Sequence, residues 1–253
     1  MPRTARKKSI SKIYHIMLRG INQQNIFSDD EDCRKFMDLV AAYKKKTGFE
    51  LYAYCLMWNH VHLLVKEGKE ELSSSMKRIG ASYVGWYNWQ YDRKGHLFQD
   101  RYRSEPVEDD SYLLTVLRYI HQNPIKAGLT KDIETYEWSS YLDYTGKPGI
   151  ADTDFVLGMF AENKIDAIRC FIDYNKKSNI DKCLEIPCKK KTLSDKEIRQ
   201  SVLSKYDIVL ATLQNKPESI QNEVLKYLKG IEGSSLRQIS RLTGFTVYKI
   251  GKV

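Results

Sequence analysis

Phe49-Glu50-Leu51-Tyr52-Ala53-Tyr54-Cys55-Leu56-Met57-Trp58-Asn59-His60-Val61-His62-Leu63-Leu64-Val65-Lys66 reads as two strands joined by a turn of two residues. Only Trp58 and Asn59 separate the run ending at Met57 from the run beginning at His60, which is the spacing of a tight hairpin. Successive side chains of a strand point to opposite faces, so Val61 and Leu63 turn one way and His60 and His62 the other. About 6.6 Å separates the two histidine Cα atoms. Two imidazoles so placed can close on one divalent ion, which makes this face the floor of a candidate metal site. A lone strand histidine is more often a hydrogen-bonded structural residue, so the pair needs support from elsewhere in the chain.

The flanking sequence supplies a frame for the hairpin. Residues 12 to 19 alternate and are rich in Ile and Tyr, as an opening strand would be. Asp30 then begins a stretch in which Phe36, Leu39, Val40 and Tyr43 fall at helical spacing, ending at Gly48. A second helix is expected over about residues 70 to 91 and a short closing strand over 103 to 107. The order strand, helix, strand, strand, helix, strand belongs to an α+β fold, a ferredoxin-like antiparallel sheet with helices on one face.

Beyond the sheet, Asp109, Asp110 and Ser111 offer an N-cap for a helix running to about Asn123, where Pro124 is expected to stop it. Helices follow over 154 to 162 and 164 to 174. Residues 176 to 191 are polar and broken by Pro187, which reads as a linker between domains at 1–175 and 192–253. In the second domain, helices over 194 to 206 and 217 to 229 precede Ile239, Leu242, Gly244, Phe245, Val247 and Ile250. That order fits a helix, a turn at Gly244 and a second helix from near Thr246, the shape of a small all-α helix-turn-helix domain whose second helix reads the major groove. A helical bundle serving packing alone fits the same pattern, and the second helix has only eight residues.

The net charge is +9. The excess is clustered at Arg3, Arg6, Lys7 and Lys8, at Lys44 to Lys46 and at Lys189 to Lys191. With 17 tyrosines and four tryptophans, cations lie among aromatic faces, which is what unpaired bases on a polyanion need. Trp86, Trp89 and Trp138 read as packing residues. Five cysteines, Cys33, Cys55, Cys170, Cys183 and Cys188, form no disulfide framework and no second pair that would complete a zinc site, so they are expected to be reduced. No run has the length of a signal core or a membrane span, which points to the cytoplasm and the nucleoid.

Tyr119 and Asn123 are four residues apart, on one helix face with about 6 Å between Cβ atoms. A phenol beside an amide can serve a site; equally, Tyr119 can pack and Asn123 cap. Tyr112, seven residues earlier, reads first as core and second as a further nucleophile.

Four blocks then carry a resemblance. Met57-Trp58-Asn59-His60-Val61-His62-Leu63-Leu64, Phe98-Gln99-Asp100-Arg101-Tyr102-Arg103-Ser104, Arg118-Tyr119-Ile120-His121-Gln122-Asn123-Pro124-Ile125-Lys126-Ala127-Gly128 and Trp138-Ser139-Ser140-Tyr141 resemble, in order and interval, REP-associated tyrosine transposases. These belong to the HUH superfamily of single-strand DNA nucleases with one catalytic tyrosine, related to IS200. The similarity covers most of residues 9 to 175. It implies that His60 and His62 bind metal, that Tyr119 is the nucleophile and that Asn123 is the third ligand. Asn at that last position points toward the REP-associated branch, since insertion-sequence relatives more often carry Gln.

The resemblance further implies a Mg²⁺- or Mn²⁺-dependent endonuclease and transposase that cleaves and rejoins single-stranded or hairpin DNA through a 5′-phosphotyrosine. Arg19, Arg101 and Arg103 are candidates for holding phosphates. A non-catalytic DNA-binding regulator derived from a transposase, or a replication or transfer initiator, would share the fold. Insertion-sequence relatives exchange the tyrosine helix within dimers whereas longer REP-associated proteins act alone, which leaves monomer and homodimer both open.

Overall fold

The histidine hairpin forms one side of a four-stranded antiparallel sheet. The computed structural model describes residues 6–181, 183–184, 193–231 and 233–253; Arg3, Pro187, Cys188 and Lys189 to Lys191 lie outside them. Strand β2 (Glu50–Met57) pairs with β3 (His60–Lys66) through Met57 opposite His60 and Cys55 opposite His62. Strand β1 (Ile13–Arg19) adds to the far edge of β3, and β4 (Arg103–Pro106) adds to β1, giving the order β2-β3-β1-β4. This is the ferredoxin-like arrangement expected from the element order.

The two crossover helices, α1 (Asp30–Thr47) and α2 (Leu72–Gln90), share one face of the sheet. Helix α1 starts where the Asp29 carboxylate accepts from the amides of Glu31 and Asp32, and it ends at Gly48 in the left-handed region. Phe36, Val40, Met76, Ile79 and Tyr83 pack there on Tyr14, Ile16, Leu18, Val61, Leu63 and Val65. Fully burying side chains of this size stabilises by about 1.5–3 kcal/mol each. Trp86 and Trp138 join this core as expected, but Trp89 is 76% exposed. The buried stripe of α2 runs through Leu72, Met76, Ile79, Tyr83 and Tyr87, and two residues past Tyr87 the helix faces away.

The opposite face of the sheet is covered as well. Ile13, Tyr52, Ala53, Cys55 and Leu64 make it apolar, so it too must be buried. Helix α3 (Asp110–Lys126), capped by Asp109, lays Leu113, Val116, Leu117 and Ile120 on it. Helix α3 runs through Pro124, not to a stop before it. Pro124 lies in the last turn, where its ring φ suits a helix and only one backbone bond is lost. The Ala127 amide still reaches the Asn123 carbonyl at 2.9 Å.

Short helices α4 (Tyr141–Tyr144) and α5 (Asp154–Leu157) and the longer α6 (Lys164–Lys176) complete this side. The helix expected over 154 to 162 is thus a single turn. At Met159 and Phe160 the backbone bonds tighten to the third residue back.

The chain divides into two compact units, 1–185 and 186–253. In the second, α7 (Asp195–Tyr206) opens with a capping box of Ser194 and Glu197, and α8 (Glu218–Gly230) follows. Helices α9 (Leu236–Thr243) and α10 (Val247–Lys252) flank Gly244, which has φ 75° and stands where a Cβ would meet the Gln214 side chain. Val202, Leu213, Val224, Leu228, Ile239 and Ile250 form its core. Among the described residues Cys33, Cys55, Cys170 and Cys183 are free, and no helix is long and apolar enough to cross a membrane.

Candidate active site

His60 and His62 stand on the α3 side of β3, where alternation puts them. Their ring centroids are 5.0 Å apart and nearly perpendicular. The tyrosine helix brings Tyr119 to the same place: its ring meets His62 edge-on at 5.6 Å. His62 and Tyr119 are therefore 57 positions apart in sequence and adjacent in space. Asn123 lies one turn further along α3, buried, with its Nδ2 donating to the Tyr119 carbonyl at 3.3 Å. That orientation leaves Oδ1 as the atom it can offer to a cation.

The hydrogen bonds around the imidazoles fix what they can do. His60 Nδ1 is 2.6 Å from Asn59 Oδ1. An amide oxygen only accepts, so the proton sits on Nδ1 and Nε2 carries the lone pair. His62 Nδ1 is 2.9 Å from Nε2 of His15, a β1 residue that is fully buried and meets the Tyr119 ring edge-on at 5.8 Å. Both rings are thus held through Nδ1, which turns Nε2 of each toward any bound ion. Burial pushes His60 down to about 4, with the Arg19 charge adding to the effect. Burial also pushes His15 down to about 3, and lowers His62 well below the usual range with help from its two histidine neighbours. Neutral imidazoles are the form that binds metal.

No group of three His, Cys, Asp or Glu side chains among the described residues is set to hold a metal ion. The donors expected from the sequence, His60, His62 and Asn123, are two imidazoles and an amide oxygen, a set that suits ions between the soft and hard extremes. The residues present fit a Mn²⁺ or Mg²⁺ ion on that chemistry.

The arginines divide. Arg19 ends β1 directly opposite His60, and Arg103 on β4 is opposite Met17, which itself faces His62. Both therefore share the face of the histidines. Arg101 lies exposed in the bend before β4. Tyr112 hydrogen-bonds the Glu105 carboxylate.

Tyr119 itself is only 2% exposed. The stretch after α6 returns along α3 through Asn179 Nδ2 to Gln122 Oε1 at 2.7 Å and through the Arg118–Asp181 ion pair at 2.8 Å. A hydroxyl so covered meets a DNA strand only after neighbouring side chains shift.

His15 and Asn59 are absent from the sequence reading of the site. The signal for His15 was present: Ile13, His15, Met17 and Arg19 alternate onto one face, and the ferredoxin order puts that strand beside β3.

The sequence model of the IS200-like transposase family matches residues 8–123, the segment that holds β1, the histidine hairpin and Tyr119. Over that segment the chain is similar to IS200-like transposases. A Haemophilus influenzae protein named as a REP-associated tyrosine transposase is 25% identical over 104 residues, 37% of this chain and 59% of that protein. The chain thus spans 59% of the length of the curated relative it matches. A solved structure described as a REP-associated tyrosine transposase bound to a REP hairpin covers 61% of this chain and 96% of its own, with TM-score 0.50 and 14% identity. At that identity the likeness is one of fold.

Proposed function

We propose that this chain is a metal-dependent single-strand DNA endonuclease and transposase that works beside REP-like hairpins. One observation carries the reading: the Tyr119 ring rests against His62 at 5.6 Å, with His60 5.0 Å beyond it. A phenol and a pair of lone-pair-bearing imidazoles seldom meet inside a core without a task, because apolar side chains would fill the space at lower cost.

In the proposed reaction the Tyr119 oxygen bonds to a backbone phosphorus and the bond from that phosphorus to the 3′ oxygen breaks. The phenol gives up its proton and the departing oxygen takes one, which leaves a 5′-phosphotyrosine and a free 3′-hydroxyl. A second strand's 3′-hydroxyl reverses the step and joins new ends, so no nucleotide triphosphate is consumed. His60 Nε2, His62 Nε2 and Asn123 Oδ1 would hold Mg²⁺ or Mn²⁺. When bound, the ion supplies positive charge to a nonbridging phosphate oxygen. Arg19 and Arg103 share this sheet face and steady flanking phosphates, with Arg101 reaching from the turn.

We assign DNA grip to the helix-turn-helix-like domain expected over 192–253. Supporting this, α9 and α10 meet at a glycine turn, and Tyr248 and Lys252 of α10 are exposed. The short α10 would enter the major groove. The chain would act on DNA in the cytoplasm.

The test is a denaturing gel of the chain incubated with Mn²⁺ and a 3′-labelled single-stranded hairpin. The wild type should form a covalent protein–DNA band, and Tyr119→Phe should form none while still binding the hairpin. Cutting by the Phe variant would remove Tyr119 from the reaction; binding without any adduct in the wild type would leave a non-catalytic DNA-binding regulator.

A further inference from the structure

Behind His62 lies a second buried polar residue, and behind that a third. His15 Nε2 meets His62 Nδ1 at 2.9 Å, while His15 Nδ1 is buried and has no hydrogen-bond partner. On the neighbouring strand, Glu105 stands directly opposite His15 in the β1–β4 register. Directly opposed residues of an antiparallel pair project to one face with Cβ atoms about 4.5–5.5 Å apart. The Glu105 Oε2 atom is also buried and without a partner. An orphaned imidazole nitrogen and an orphaned carboxylate oxygen therefore occupy facing positions on one sheet face, next to a candidate metal ligand.

Buried polar atoms are paired in the great majority of cases, and two that lack partners side by side need an explanation. Glu105 also takes a hydrogen bond from Tyr112, and a carboxylate has the acceptor capacity to serve His15 Nδ1 as well. The direction of the chain of hydrogen bonds is then fixed by valence. A carboxylate only accepts, so His15 Nδ1 carries the proton and His15 Nε2 the lone pair. His62 Nδ1 must then donate to His15, which leaves His62 Nε2 bare and aimed at the site.

We infer that Glu105 and His15 are positioning residues, a carboxylate–histidine relay that holds His62 in the tautomer and ring orientation needed to bind a divalent cation. The inference rests on the metal reading proposed above. Metal-bound histidines commonly donate their second ring N–H to such a partner, and its removal weakens metal binding by about 10- to 100-fold. Asn59 does this for His60 with a single residue; His62, deeper in the sheet, does it through two.

The test is Mn²⁺ affinity of the full chain, followed by electron paramagnetic resonance of the free ion. Glu105→Ala and His15→Leu should each weaken binding by roughly 10- to 100-fold. Glu105→Gln should recover most of the loss, since its amide oxygen still accepts. The double variant Glu105→Ala, His15→Leu should bind no more weakly than His15→Leu alone, because links in series are lost once. Glu105 lies on the edge strand β4 and is partly exposed, so its variants leave a readable fold even where His15→Leu does not. In the Mg²⁺-loaded wild type, nitrogen NMR should find the proton on Nδ1 of both His15 and His62. Wild-type affinity in Glu105→Ala, full additivity in the double variant, or a bare His15 Nδ1 overturns the relay. His62→Ala separates the two levels: loss of Mn²⁺ binding upholds the metal site beneath the relay, and unchanged binding overturns the metal reading itself.

Discussion

Gly20 follows the last residue of β1 and ties the turn of the histidine hairpin to the sheet, so Gly20→Ala tests how that turn is held. The Gly20 amide donates to the Asn59 carbonyl at 2.9 Å, and the amides of Ile26 and Phe27 donate to the Trp58 carbonyl at 2.7 and 3.0 Å. The Asn59 side chain in turn holds the His60 ring. Gly20 has φ −62° and ψ 142°, which alanine adopts freely, so the effect is steric alone. A Cβ at Gly20 would run into the Gln24 backbone carbonyl and lie 3.0 Å from Ile26 Cγ2. A backbone carbonyl cannot swing aside as a side chain can, which puts the overpacking cost near the top of its usual range, about 3 kcal/mol. Loosening the Asn59 bond adds about 1 kcal/mol.

Gly85, on the exposed side of α2 with nothing within 4 Å of its built Cβ, is the control; Gly85→Ala should stabilise by about 0.5–1 kcal/mol. Urea unfolding followed by tryptophan fluorescence reads the first unit alone, since Trp58, Trp86, Trp89 and Trp138 all lie within residues 1–185. A Gly20→Ala chain within about 0.5 kcal/mol of wild type would refute the reasoning, because surface substitutions away from such features usually fall in that range.

Two further outcomes follow from the elements around α3. Arg118→Ala should destabilise the first unit by about 3 kcal/mol, since it leaves Asp181 without its cation in a pair only 13% and 15% exposed; an unchanged urea midpoint would show that the pair contributes nothing. His121 is fully buried between Asn175 Oδ1 at 3.1 Å and Ser140 Oγ at 2.9 Å, and burial pushes it down to about 3. The unfolded chain takes up this proton below about pH 6.5 and the folded chain does not, so the stabilising contribution is complete above that pH. It falls by about 1.4 kcal/mol per pH unit as the pH drops toward 3. The stability gap between wild type and His121→Leu should therefore shrink on acidification, and a gap that stays constant between about pH 7 and 4.5 would remove His121 from the balance.

The strands and helix starts were legible because they depend on neighbours in sequence. Alternation placed His60 and His62 on one face, Asp29 and Asp109 occupy N-caps as short acceptors do, and Gly48 and Gly244 end helices in the left-handed region. Local rules failed where packing decides. Pro124 reads as a stop, yet α3 continues through it because the loss of one bond in a last turn is small beside the burial of that helix on the sheet. Trp89 reads as packing, yet its angle on α2 turns it to solvent.

The sequence by itself determined the order of elements, the face on which the histidine pair stands and the spacing of Tyr119 from Asn123, because these follow from backbone periodicity. Only the tertiary structure decided that Tyr119 meets His62, that His15 stands behind that ligand, and that Glu105 faces His15. Those three juxtapositions bring together residues from separate strands and a later helix, and they are set by strand order and register, which arise only when apolar faces of the sheet are buried together.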